Sequence, residues 1–202
     1  MIKAYLATQI ELDRALEKLI DMLEKKGKLD NTVIALVGDH YPYTIPVNEI
    51  NQISSYERDD IIEVNRSNFI LWNNEMKEVI EVEKVGSQID VLPTLLNLFG
   101  VEYDSRLIIG KDILSDSTEG IAIFSNRSWV TNLGTYISTT GVFTPKEGAE
   151  IEEGYINKKN VEVDFKNSYM FSDSLSDKPL LDLVGNPYLI NYKKKTNMKV
   201  LN

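Results

Sequence analysis

The sequence predicts an α/β protein with a mostly parallel central sheet flanked by helices, followed by a small antiparallel β subdomain. Three observations carry that expectation. A long run with apolar residues at helical spacing leads into an uninterrupted apolar stretch at residues 32–37. A second apolar stretch at residues 68–73 precedes another helical pattern at residues 88–100. After Gly120 the chain changes to short β-rich runs divided by turn residues.

The first element reads as an amphipathic helix of about six turns, because Leu6, Ile10, Leu16, Leu19, Ile20 and Leu23 recur at helical spacing. Lys25-Lys26-Gly27 ends it, with cations in the last turn and a glycine stop. After the connection Leu29-Asp30-Asn31, the run Thr32-Val33-Ile34-Ala35-Leu36-Val37 reads as a strand covered on both faces, as strands of parallel sheets are. Helix, connection and strand together make half of a βαβ unit.

Gly38-Asp39-His40-Tyr41 follows, and His40 is the only histidine in 202 residues. Ligands of open α/β sheets gather outside the carboxyl ends of strands, which is where this pair sits. Neighbouring side chains on a regular strand point to opposite faces, so Asp39 and His40 converge on one ion only once the strand has ended; Gly38 is placed to end it. A carboxylate and an imidazole there form half of a metal site. The alternative is a turn-forming aspartate beside an ordinary loop histidine. The segment 41–47 holds two prolines and two tyrosines and reads as a loop over the cleft. Tyr41 and Tyr43 are candidates to touch a substrate headgroup, or else aromatics that cover the loop.

Asn68-Phe69-Ile70-Leu71-Trp72-Asn73 reads as a further strand, and Glu78-Val79-Ile80-Glu81-Val82-Glu83 alternates as an edge strand would. In residues 88–100 the stripe Leu92, Leu95, Leu96 and Phe99 faces a core, Asp90 suits the helix start, Pro93 sits in the first turn, and Gly100 closes the end. This pattern is packing, so Asp90 and Thr94 receive no catalytic role. Gly120-Ile121-Ala122-Ile123-Phe124, Ser128-Trp129-Val130-Thr131 and Thr135-Tyr136-Ile137-Ser138 form an antiparallel meander, with Thr139-Thr140 as turn residues. Residues 182–202 read as a terminal helix or arm carrying Lys193-Lys194-Lys195, most simply a solvated face.

Composition bounds the partners. The chain is 43% hydrophobic, enough for one sizeable core, and its net charge of −9 argues against nucleic acid. No apolar run is long enough to span a membrane or form a secretion signal. The absence of cysteine excludes disulfides, thiolate metal sites and a cysteine nucleophile within these residues.

Tyr5, Asp13, Leu16, Leu23, Gly27, Asp30-Asn31-Thr32-Val33-Ile34 and Gly38-Asp39-His40-Tyr41 together resemble the sulfatase branch of the alkaline phosphatase superfamily. The tyrosine after the histidine points to the lipoteichoic acid synthase group of phosphoglycerol transferases. Gln88-Ile89-Asp90-Val91-Leu92-Pro93-Thr94-Leu95-Leu96-Asn97-Leu98-Phe99-Gly100 is similar to the helix that follows the family's metal-binding strand. A weaker block is Gly110-Lys111-Asp112-Ile113-Leu114-Ser115, followed by Asn126-Arg127-Ser128-Trp129-Val130-Thr131.

The resemblance implies the C-terminal part of an alkaline phosphatase-like sandwich at residues 1–118, with residues 119–202 forming a small antiparallel sheet and a terminal helix or arm. It implies that Asp39 and His40 are metal ligands, with manganese favoured and zinc or magnesium compatible with a mixed oxygen and nitrogen donor set. In the family, a carboxylate, a nucleophilic threonine and further histidines come from the first half of the domain. Those residues have no counterparts here, so the expected partner is the missing N-terminal half and the expected activity of the chain alone is none. The substrate implied is phosphatidylglycerol or a related lipid or polymer phosphodiester, at the outer face of a membrane to which the parent is anchored. Two other readings stay open: a sulfatase or phosphoethanolamine transferase fragment, and a non-catalytic α/β binding module.

Overall fold

The apolar spacing at the amino end becomes helix α1, Ile2–Lys25. Gly27, at φ +62°, closes it in a Schellman motif: its amide donates to the Glu24 carbonyl at 2.8 Å and the Lys28 amide donates to that of Leu23 at 2.9 Å. The computed structural model describes residues 1–162, 169–172, 178–182, 184–190 and 199–201. They fall into two compact units, Met1–Val82 and Glu83–Asn202. The change of character at residue 119 lies inside the second.

In the first unit, a 3-10 turn at Leu29–Asn31 leads into strand β1, Val33–Val37. Its partner is β2, Phe69–Asn73. The pair is antiparallel, with Val33 opposite Asn73 and Val37 opposite Phe69, where the sequence pattern points to a parallel sheet. An uninterrupted apolar run reports burial and not strand direction, and here no residue of either strand is fully buried. The core of this unit instead gathers Ile45, Ile50 and Val64, with Ile2, Tyr5, Tyr41 and Val47 packed against them. Ile50 closes the short helix α2, Val47–Ile50. Residues 78–83 form no strand, and Val79 and Ile80 are exposed. Alternation yields a strand only where a neighbour completes the ladder.

In the second unit, a 3-10 turn at Gln88–Asp90 runs into helix α3, Val91–Leu98. Ser87 and Asp90 form a capping box, as the expected helix start requires. The buried face differs from the expected stripe: Pro93 and Thr94 are buried, whereas Leu92 and Phe99 are exposed. Thr94 is held by its hydroxyl, which donates to the Asp90 carbonyl at 2.6 Å and accepts from the Ile113 amide at 3.0 Å. The turn before Ile113 comes so close that a Cβ on Gly110 would lie 1.9 Å from the Ile89 carbonyl oxygen, so only glycine fits.

The meander is present as four antiparallel strands in sequence order: β3 (Ile121–Ile123), β4 (Trp129–Thr131), β5 (Gly134–Ile137) and β6 (Val142–Pro145). Trp129 is fully buried on it, with Tyr136, Phe143 and Tyr155 around its ring. Tyr155 opens helix α4, Tyr155–Glu162. The carboxyl end adds a parallel sheet of β7 (Tyr169–Ser172), β8 (Asn186–Ile190) and β9 (Lys199–Leu201), with helix α5 at Lys178–Leu181. Residues 186–190 are therefore strand and not helix; Gly185-Asn186-Pro187 reads as a breaker, and Pro187 cannot donate to a ladder. Lys193, Lys194 and Lys195 lie outside the described residues. Mixed helices and sheets place the chain in the α/β class.

Candidate metal centre at the end of strand β1

Strand β1 ends at Val37, and Gly38 passes close to Ser67: a Cβ there would lie 2.2 Å from the Ser67 hydroxyl oxygen. The chain then turns, and Asp39 folds back so that its Oδ1 accepts the His40 amide at 2.9 Å. With the strand ended, Asp39 and His40 are no longer bound to opposite faces. Asp39 Oδ2 and His40 Nε2 stand 3.6 Å apart, on side chains that are 88% and 46% exposed.

His40 Nδ1 lies 2.7 Å from the Tyr41 carbonyl oxygen. A carbonyl only accepts, so Nδ1 carries the proton and the lone pair of the neutral ring is on Nε2. A carbonyl partner for the second ring nitrogen is the usual companion of a histidine ligand. At 3.6 Å the Nε2 and Oδ2 atoms are too far apart for a hydrogen bond. Two ligands on one ion, at bond lengths near 2.0–2.2 Å, stand roughly 3.0–3.6 Å apart. The donor chemistry and the spacing fit a divalent cation shared by the two side chains.

The two tyrosines occupy different places. Tyr41 packs half-buried against the Ile45, Ile50 and Val64 cluster. Tyr43 is 66% exposed, and its ring stacks on that of His40 with centroids 4.2 Å apart and planes 9° from parallel. The Tyr41 and Tyr43 rings meet edge to face at 4.8 Å. All four sequence candidates thus lie in one turn, and among the described residues no group of three or more His, Cys, Asp or Glu side chains is placed to hold a metal. No helix among them is long and apolar enough to cross a membrane.

A polar network in the second unit escapes sequence reasoning. The Tyr155 hydroxyl donates to Glu119 Oε1 at 2.8 Å, which leaves the Thr131 hydroxyl, also 2.8 Å away, to donate to Tyr155. Lys159, with a side chain 7% exposed, meets Glu119 Oε2 at 2.5 Å. Burial pushes the Glu119 carboxyl up, but the bonds from Lys159 and Tyr155 outweigh it and hold the group below its ordinary value. Burial, with Glu119 adding to it, raises the Tyr155 hydroxyl above its ordinary value despite the bond from Thr131. Trp129 Nε1 donates to Asn160 at 2.9 Å, so helix α4 is tied to the meander by more than packing.

Residues 1–101 of this α/β chain match the sulfatase family model, and the chain belongs to that family. It is 30% identical over 197 residues to the lipoteichoic acid synthases of Staphylococcus aureus strains USA300 and NCTC 8325 / PS 47, an alignment covering 92% of this chain and 29% of each relative. The chain therefore spans less than a third of the length of these curated relatives. The crystal structure of the lipoteichoic acid synthase LtaP from Listeria monocytogenes superposes with a TM-score of 0.57 at 26% identity, over 74% of this chain and 40% of that one.

Proposed function

We propose that this chain is the carboxyl-terminal portion of a metal-dependent phosphoglycerol transferase of the lipoteichoic acid synthase kind. The observation that carries the reading is the Asp39–His40 turn, in which an Nε2 lone pair and a carboxylate oxygen stand 3.6 Å apart at the end of β1. The likeness to lipoteichoic acid synthases over 92% of the chain supports it.

Asp39 and His40 would hold a divalent cation, manganese first and zinc or magnesium next. Such a cation supplies charge neutralisation at phosphoryl oxygens. Asp39 brings a hard anionic oxygen, and His40 brings a neutral nitrogen whose tautomer the Tyr41 carbonyl fixes. Tyr41 and Tyr43, beside His40 in the same turn, would contact the headgroup of phosphatidylglycerol or a related phosphodiester. The nucleophile and the remaining ligands come from polypeptide outside these 202 residues, at the outer face of the membrane that anchors the parent. Two protein ligands make a weak site, so the chain alone binds metal loosely and does not turn over.

The test is a manganese titration by electron paramagnetic resonance on the chain and on His40→Ala, with and without a polypeptide carrying the upstream part of the catalytic domain. Binding that tightens when both parts are present and is lost in the variant is expected. Manganese binding indifferent to His40 under every condition would remove the pair from the metal site and return the chain to a binding module.

A further inference from the structure

We infer that Tyr43 is a positioning residue for His40: its ring, propped on Tyr41, fixes the imidazole plane so that Nδ1 stays on the Tyr41 carbonyl and Nε2 faces Asp39. The inference rests on the metal reading above for its purpose, but its geometry stands without it.

His40 is exposed, and an exposed imidazole beside one hydrogen-bond acceptor is free to turn about its side-chain bonds. Here two aromatic rings restrain it in series. The Tyr41 ring is seated on the Ile45, Ile50 and Val64 cluster, the Tyr43 ring meets Tyr41 at 83°, and the His40 ring lies 9° from parallel on Tyr43. Tyr43 is itself carried in a turn over residues 42–45, closed by the Ile45 amide donating to the Pro42 carbonyl at 3.0 Å. Ring orientation therefore passes from the core of the unit to an otherwise exposed side chain. The phenol hydroxyl plays no part in the stack, so a phenylalanine should replace Tyr43.

Because His40 is the only histidine, its ring nitrogens give one pair of signals that need no assignment. The experiment is nitrogen-15 NMR of the imidazole in the full chain, in Tyr43→Ala and in Tyr43→Phe, at a pH where the ring is neutral. It is followed by manganese titration read as paramagnetic broadening of the ring protons. The native chain and Tyr43→Phe are expected to show Nδ1 protonated and Nε2 unprotonated. Tyr43→Ala is expected to move to the tautomer mixture of a free side chain and to need about 10-fold or more manganese for the same broadening, the usual loss when a group supporting a ligand is removed. Tyr43 is 66% exposed, so its removal leaves the core intact. Identical tautomers and titrations in all three chains would overturn the inference. A tautomer change in Tyr43→Ala with no broadening in any chain, alone or with the upstream polypeptide added, would leave the positioning role standing and overturn the metal reading instead.

Discussion

The Tyr155 hydroxyl donates to Glu119 Oε1 at 2.8 Å, and the other oxygen of the same carboxylate meets the ammonium of Lys159 at 2.5 Å. One carboxylate thus satisfies two groups of helix α4 against the meander. Removing one partner of a buried ion pair leaves the other charge uncompensated, which is far worse than replacing both. Glu119→Gln keeps an acceptor for Tyr155 but removes the carboxylate charge that faces the Lys159 ammonium. The expected loss is about 2–3 kcal/mol, below that of a fully buried pair because the Glu119 side chain is 40% exposed. Urea denaturation measures it, and an unchanged midpoint would mean that Lys159 is held by its other contacts.

The same network sets a pH dependence at both ends. Glu119 has a folded value below its ordinary 4.5, so it adds stability above that pH, and the contribution is lost as pH falls through the depressed folded value. Tyr155 is raised above its ordinary 10.0, so its contribution is present below that pH and lost as pH rises through the folded value. Thermal melts of the native chain and Glu119→Gln over roughly pH 3 to 7 separate the acid limb. The stability gap between the two proteins should close towards the acid end. A gap that stays constant would assign the destabilisation to packing.

The sequence makes the local elements legible and the long-range pairings much less so. Helix α1 was readable from Leu16, Ile20 and Leu23 and from Gly27, because apolar spacing and a left-handed stop both act within the segment. Strand β1 was readable as a strand, but its direction depends on where residues 38–68 return the chain, which no local pattern encodes. Residues 78–83 mix apolar and acidic side chains, yet form no ladder, and Val79 and Ile80 are exposed. At the candidate site, the sequence offers Asp39, His40, Tyr41 and Tyr43 by type and position, and Asp39, His40 and Tyr43 make contacts within one turn. The second partner of the imidazole was not legible, because it is a backbone carbonyl, which every residue carries. Glu119 and Lys159 are 40 positions apart and ordinary surface types, so only the fold brings them together.

Thr94 illustrates a motif residue whose work is structural. Its fully buried hydroxyl links the Asp90 carbonyl, at 2.6 Å, to the Ile113 amide, at 3.0 Å, and so ties α3 to the following loop. Thr94→Val fills the same volume but strands the Ile113 amide, which should cost about 1–3 kcal/mol. Thr94→Ser keeps the hydroxyl and should recover much of the loss. Denaturation midpoints of the two variants decide it, and equal losses would show that the methyl group matters more than the bond.

Local stability should be divided between the two units. A two-stranded sheet is marginal in water, and β1 and β2 contain no fully buried residue, with Ala35, Val37 and Ile70 exposed. Helix α1 likewise buries none of its residues completely and leaves Leu6, Ile10, Leu12, Leu19 and Met22 exposed. The meander is built differently, with Trp129 fully buried, Thr131 buried and four strands in one ladder. Opening free energy follows buried contact and ladder length, so amide hydrogen exchange should report fast exchange in Val33–Val37 and Phe69–Asn73 and slow exchange in Trp129–Thr131 and Gly134–Ile137. Equal protection in the two sheets would mean that the exposed apolar faces of the first unit are covered in solution, and sedimentation at two concentrations would then show whether a second copy covers them.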